Sequence, residues 1–233
     1  MCGVSTINSD ENKMKTIKKL LVLGMFSLMV LQTNQSVAQI IFGEYQSAKM
    51  VGKGKIEATA HYTGVNLSYD GESLFAFNNL GLQTGFGFGE RFELRVRYDR
   101  LWFKDYGIGD GISFISIGPK IGTKNNKIAF HLPFSTALEE GAGATWFFNP
   151  AVLFTVPLTT NTHLTFTPKY LISLQEGDAF EENPLGLNLG AGIGFMRNWV
   201  ARPEIGLTFV PGEKGSFFNF GLGASWIFGK PAN

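Results

Sequence analysis

Residues 89–103, GERFELRVRYDRLWF, constrain the fold more than any other stretch of the chain. Phe92, Leu94, Val96 and Tyr98 alternate without a break against Glu93, Arg95, Arg97 and Asp99. That is a period of two, so the segment is a strand with one apolar and one charged face. A helix, with its period of about 3.6, would smear both kinds of residue around its surface. The pattern alone leaves two arrangements open. In a soluble sandwich the apolar face meets a core and the charges meet water. In a membrane barrel the apolar face meets lipid and the charges face a lumen.

Composition and the N-terminus bear on that choice. Charged residues make up only 17% of the 233 residues, while there are 29 glycines and 22 phenylalanines. So little charge covers a water-exposed surface poorly, and the formal net charge of +1 gives no reason to expect nucleic acid. Lys15, Lys18 and Lys19 precede the apolar run Leu20–Leu31, and a polar stretch follows that ends Ser36-Val37-Ala38. A basic region, a short apolar region and small residues before a cleavage point describe a secretory signal peptide over residues 1–38. The apolar run falls short of the roughly 20 residues a permanent membrane helix needs. Met14 stands directly before the basic region, which leaves residues 1–13 as an upstream start-site artefact. The one cysteine, Cys2, excludes an internal disulfide or a multi-thiolate metal site.

Residues 39–54 then read as a periplasmic lead-in, 55–229 as the barrel and 230–233 as a short tail. Ten segments repeat the period-two pattern, starting with Lys55–Leu67 and ending with the stretch to Phe228. In the last, Phe218, Phe220, Leu222, Ala224, Trp226 and Phe228 oppose Asn219, Gly221, Gly223 and Ser225. The connections at 89–90, 125–126, 159–162 and 197–198 are short. Those near 69–73, 104–110, 138–144, 175–184 and 211–215 are mostly longer and more polar. A meander with one rim in the periplasm and the other outside alternates in this way, whereas a Greek-key sandwich has no reason to. Unpaired backbone groups in lipid cost several kcal/mol each, so the tenth strand is expected to close on the first. The inner face is mainly Gly, Ser, Thr and Asn, and Tyr62, Tyr98, Trp102, Tyr170, Trp199 and Trp226 lie near strand ends, as interfacial belts do. The fold expected is all-β: a transmembrane antiparallel up-and-down β-barrel of about ten strands, following a cleaved signal peptide.

The segments VGKGKIEATAHY (51–62), RFELRVRYDR (91–100), GPKIG (118–122), ARPEIGLTFVPGEKG (201–215) and FNFGLGASWIF (218–228) resemble the small outer-membrane β-barrel proteins of Gram-negative bacteria. Within that group they are most similar to an uncharacterised outer-membrane family of Bacteroidota. The resemblance implies cell outer-membrane localisation, insertion by the barrel-assembly machinery and contact with outer-membrane lipid, with both termini periplasmic. It implies little about biochemistry. One departure concerns assembly: such chains usually end on an aromatic residue, whereas Phe228 is followed by Gly229-Lys230-Pro231-Ala232-Asn233.

With the polar face inward, Glu57, Glu93, Asp99 and Glu204 share a narrow space with Arg95, Arg97, Lys120, Lys169 and Arg202. Charges there must pair, so a cross-strand network is expected. Two roles follow from it: a structural barrel stiffened by the network, or a narrow, porin-like channel for small polar solutes. The rival is surface binding or adhesion through the outer connections. An enzyme is not expected, because His61, His131 and His163 are scattered and assemble no triad or metal site. No cofactor is expected, and the acidic stretch Glu176, Asp178, Glu181 and Glu182 has no EF-hand spacing and defaults to a solvated loop.

Overall fold

The structure is a computed structural model and describes residues 42–102, 111–138, 146–174 and 183–229. The strands are β1 (Ile56–Tyr69), β2 (Glu72–Gly87), β3 (Phe92–Trp102), β4 (Ile112–Gly122), β5 (Ile128–His131), β6 (Phe134–Ala137), β7 (Trp146–Phe148), β8 (Ala151–Pro157), β9 (Thr162–Tyr170), β10 (Ile172–Ser173), β11 (Leu185–Met196), β12 (Trp199–Phe209) and β13 (Ser216–Phe228). Three of the ten staves are each split in two. β5 continues as β6 past Leu132-Pro133, β7 as β8 past Asn149-Pro150, and β9 as β10 past Leu171. Pro133 and Pro150 have no N–H to give a ladder, and both breaks fall at these prolines. Each stave pairs antiparallel with its neighbours, and β1 pairs β13 from Ile56↔Phe228 to Ser68↔Ser216, which closes a ten-strand barrel.

The faces sort as the alternation requires. Leu82, Ile117, Phe130, Val156, Ile205, Phe220 and Leu222 are exposed around the outside, each 44% or more. An apolar exterior this extensive is what hydrocarbon accepts and water does not. Trp199 stacks on Trp226 at 6.0 Å beside the 197–198 turn, and Tyr62 packs on Trp102 at 6.4 Å.

Connections on one rim, at 88–91, 123–127, 158–161 and 197–198, are short. The other rim carries the 103–111, 138–145, 174–184 and 210–215 connections and one exception to length, the two-residue turn Asp70-Gly71. Both residues have positive φ, 51° and 80°, the I′ geometry that matches strand twist. The expected connection at 69–73 is therefore this tight turn, and β1 and β2 run on to meet at Tyr69↔Glu72. A bulge where Val65 and Asn66 face the segment around Ala76 turns Phe77 inward.

Sequence reading missed two interior features. Near the long-connection rim the lumen turns apolar, with Val65, Ala76, Phe77, Leu101, Phe114, Phe147 and Leu171 buried in one cluster. Second, residues 42–51, expected as a lead-in outside the barrel, lie within it: Phe42, Tyr45 and Ala48 are 1% exposed or less. The chain leaves the lumen at the short-turn rim on its way into β1, where Gly54 N–H donates to the Gly87 carbonyl at 2.9 Å. Phe42, the first described residue, is edge-on to Phe77 and Phe217, at 5.2 and 5.6 Å, inside the apolar cluster. A ten-stave wall leaves more interior than its own side chains fill, and this segment fills it.

Candidate functional site: the lumen and its threaded segment

All nine charged residues expected in the lumen are buried there, at 9% exposure or less. They form separate groups rather than one network. In the first, Glu57 bridges two arginines: Arg95 Nη2 at 2.5 Å and Arg202 Nη2 in close contact. Arg95 Nε reaches Glu93 Oε1 at 2.7 Å, and Lys120 Nζ reaches the same oxygen at 2.8 Å. Strand register makes this possible. Glu93 sits opposite Lys120 across β3–β4, while Arg95 and Glu57 both flank Gly85. Gly85 has no side chain, so Arg95 passes over it to Glu57; a Cβ there would lie 3.2 Å from the guanidinium carbon.

The second group is Arg97, Asp99, His61 and Asn79. Arg97 Nε donates to Asp99 Oδ2 at 2.6 Å, while Asn79 Nδ2 donates to Oδ1 at 2.8 Å and His61 Nε2 lies 3.0 Å from it. Lys169 and Glu204 belong to a third group that sequence reading could not complete, because their partners are on the threaded segment. Lys169 Nζ donates to Glu44 Oε1 at 3.3 Å. Glu204 accepts the N–H groups of Glu44 and Tyr45 at 2.6 and 2.8 Å, one on each oxygen, as suits a carboxylate. Gly43 and Tyr45 have φ of 77° and 48°, and such alternation turns successive N–H groups to one side as an anion-holding nest.

The wall treats the rest of the segment in the same way. Arg97 Nη1 and Nη2 donate to the carbonyls of Gly43 and Phe42 at 2.6 and 3.2 Å. Gln83 Nε2 donates to the carbonyls of Glu44 and Tyr45, both at 3.1 Å. Thr155 Oγ1 accepts from Ala48 N–H at 2.8 Å, Lys120 Nζ donates to the Lys49 carbonyl at 3.1 Å, and Glu93 Oε2 accepts from Val51 N–H at 2.9 Å. A backbone with no sheet partner is thus hydrogen-bonded by side chains from several staves, which removes the cost of burying it.

Tyr45 fixes the centre of the segment. Its ring stacks on His61 at a centroid distance of 4.5 Å and an angle of 21°, and its hydroxyl bonds Thr63 Oγ1. Opposite, Gly221 and Gly223 of β13 make the slot: a Cβ on Gly221 would stand 1.9 Å from the Tyr45 hydroxyl. The sequence signalled small residues here without showing what they make room for.

Of the histidines, His61 is committed to Asp99 and Tyr45, and His131 Nδ1 accepts from Gln46 Nε2 at 2.9 Å. His163 stands at the 158–161 turn, opposite Gly192. Among the described residues no three His, Cys, Asp or Glu side chains are grouped to hold a metal ion. The acidic stretch Glu176–Glu182 and the tail 230–233 lie outside the described residues.

No protein-family model matches the sequence, and no curated protein matches it. Among solved structures the chain is similar to the translocator domain of the autotransporter NalP from Neisseria meningitidis, at 10% identity and a TM-score of 0.43, over 91% of this chain and 98% of that one. It is similar to KdgM porin at 7% identity and a TM-score of 0.40, over 75% and 99%. It is also similar to Ail, the attachment invasion locus protein of Yersinia pestis, at 9% identity and a TM-score of 0.35, over 76% and 99%.

Proposed function

We propose that this chain is an outer-membrane barrel whose polar lumen is stoppered by its own residues 42–51. With the segment seated the barrel is a closed structural element. With the segment withdrawn it is a narrow channel for small polar solutes. The observation that carries this reading is the way the segment is held. Its backbone is gripped by Arg97, Gln83, Lys120, Glu93, Thr155 and Glu204, polar side chains that water can replace one for one. A permanent filler needs no such seat, since apolar side chains from the wall fill small barrels directly. The short-turn rim is assigned to the periplasm and the long-connection rim to the outside, following the usual asymmetry of such barrels. The Bacteroidota affinity of the sequence belongs to the same proposal. Catalysis forms no part of it.

The rival reading, surface binding through the outer connections, has one observation in its favour. β1 and β2 run for 14 and 16 residues against 11 for β3 and β4, so their hairpin extends further along its rim.

Planar-bilayer recording tests the channel. The full barrel is expected to stay closed, and a variant lacking residues 42–51 is expected to conduct in small, uniform steps. Silence of that variant, with folded protein shown by circular dichroism, overturns the proposal.

A further inference from the structure

Beside Glu44 the lumen keeps a small chamber of about 30 Å³, room for one or two waters. Arg97, His131, Asn149, Lys169, Thr208 and Glu44 are among the residues that line it. Three of these carry a polar atom with no hydrogen-bond partner among the described residues: His131 Nε2, Asn149 Oδ1 and Thr208 Oγ1. Their side chains are nonetheless buried, at 6%, 7% and 2% exposure. Buried polar atoms are ordinarily satisfied, so three orphans around one chamber mark a place made for something polar.

The donor set says what. Gln46 Nε2 donates to His131 Nδ1, which leaves the proton on Nε2, a donor without a partner on a residue that lines the chamber. The Lys169 ammonium and the Thr208 hydroxyl add further donors. Of these groups Lys169 already meets an anion, the segment's own Glu44. The Glu44 carboxylate takes Lys169 Nζ at 3.3 Å and Gln46 Nε2 at 2.8 Å, and lies 3.7 Å from His131 Nδ1.

Charge counting agrees. Among the described residues the buried wall charges are Arg95, Arg97, Lys120, Lys169 and Arg202 against Glu57, Glu93, Asp99 and Glu204, five cations to four carboxylates. Glu44 supplies the missing negative charge. A lumen without the segment is therefore left with a net positive charge, which favours an anion over a cation there.

We infer that the chamber walled by Arg97, His131, Asn149, Lys169 and Thr208, together with the space the Glu44 carboxylate fills beside it, is a binding site for a small carboxylate solute, for which Glu44 of the threaded segment is a built-in competitor. The inference deepens the channel reading and rests on it for its biological use, since a solute takes the site only when Glu44 leaves. The unpaired Asn149 Oδ1 is an acceptor and suits a hydroxyl or amide N–H on the same solute. The site sits part-way along the lumen, so it also sets selectivity: the unstoppered barrel favours small carboxylates over cations.

Chemical rescue tests the site without requiring conduction. Full-length Glu44→Ala is refolded in detergent micelles with acetate, or with chloride at the same ionic strength, and its thermal unfolding midpoint is measured. The variant is expected to melt below wild type. Acetate is expected to restore much of the loss, in proportion to the logarithm of its concentration, as ligand linkage requires, while chloride is not. Glu44→Ser, which also clears the carboxylate from the site, serves as the parallel variant should Glu44→Ala fold poorly. Adding Lys169→Gln to either is expected to abolish the acetate response. Acetate acting equally on wild type and variant, acetate and chloride acting alike, or a response that survives Lys169→Gln would each overturn the site. Silence of the segment-deleted barrel alongside intact rescue would overturn the channel reading and leave the carboxylate site standing.

Discussion

Tyr45→Ala is expected to unseat the threaded segment without unfolding the wall. Tyr45 is 1% exposed, stacked on His61 and hydrogen-bonded through its hydroxyl to Thr63. Truncating a buried aromatic residue costs about 3–5 kcal/mol. The lower end applies, because the vacated slot lies in a polar lumen that water enters. A loss of about 3 kcal/mol raises the unseated population roughly a hundredfold, at about 1.4 kcal/mol per tenfold. The reporter is Ser47→Cys, two residues along, in a chain with Cys2 replaced by serine. Ser47 is buried at 3% exposure, so a thiol there reacts with a polar maleimide only when the segment opens, and the labelling rate tracks the opening equilibrium. Tyr45→Phe, which loses only the hydroxyl bond of about 1 kcal/mol, is expected to speed labelling by no more than about tenfold. Tyr45→Gly supplies a test of sign. At a φ of 48° glycine is unstrained and alanine is not, so the glycine variant is expected to label more slowly than the alanine variant, reversing the usual order. Labelling of Tyr45→Ala within threefold of the parent, with the barrel folded, would refute the view that Tyr45 holds the segment in place.

Glu57→Gln leaves Arg95 and Arg202 facing one another without their shared carboxylate; a loss of about 3–5 kcal/mol in urea unfolding is expected, and a loss under 1 kcal/mol would show that water compensates the pair. Gly71→Ala adds no clash, since nothing lies within 4 Å, yet it forces a φ of 80° on alanine. A loss of about 1 kcal/mol is expected, measured by the same unfolding assay. For orientation, Asp70→Cys and Asn126→Cys stand exposed on opposite rims. An impermeant thiol reagent is expected to label the first on intact cells and the second only after permeabilisation, and the reverse pattern would invert the barrel.

The unbroken alternation from Phe92 to Asp99 determined, by itself, which side chains turn inward, because a strand has two faces and a lipid-facing wall admits charge on only one. The same logic placed His131 and Ser135, Thr165 and Lys169, and Arg202 and Glu204 in the lumen. It did not register the breaks at Pro133 and Pro150, because the period continues across them. Nor did it give the pairing: Glu57 meets Arg202 although 145 positions separate them, and only closure of β1 on β13 brings β12 within reach. Residues 42–51 were the least legible. The stretch FGEYQSAKMV has no period, because it joins no sheet; its position comes from a wall that leaves an interior to be filled and supplies the donors and acceptors to hold a chain there. A pattern records the solvent each side chain must meet, and Glu93 or Arg97 carry it in the strand itself. Which group fills a lumen depends on distances between staves far apart in sequence, and those exist only once the barrel has closed.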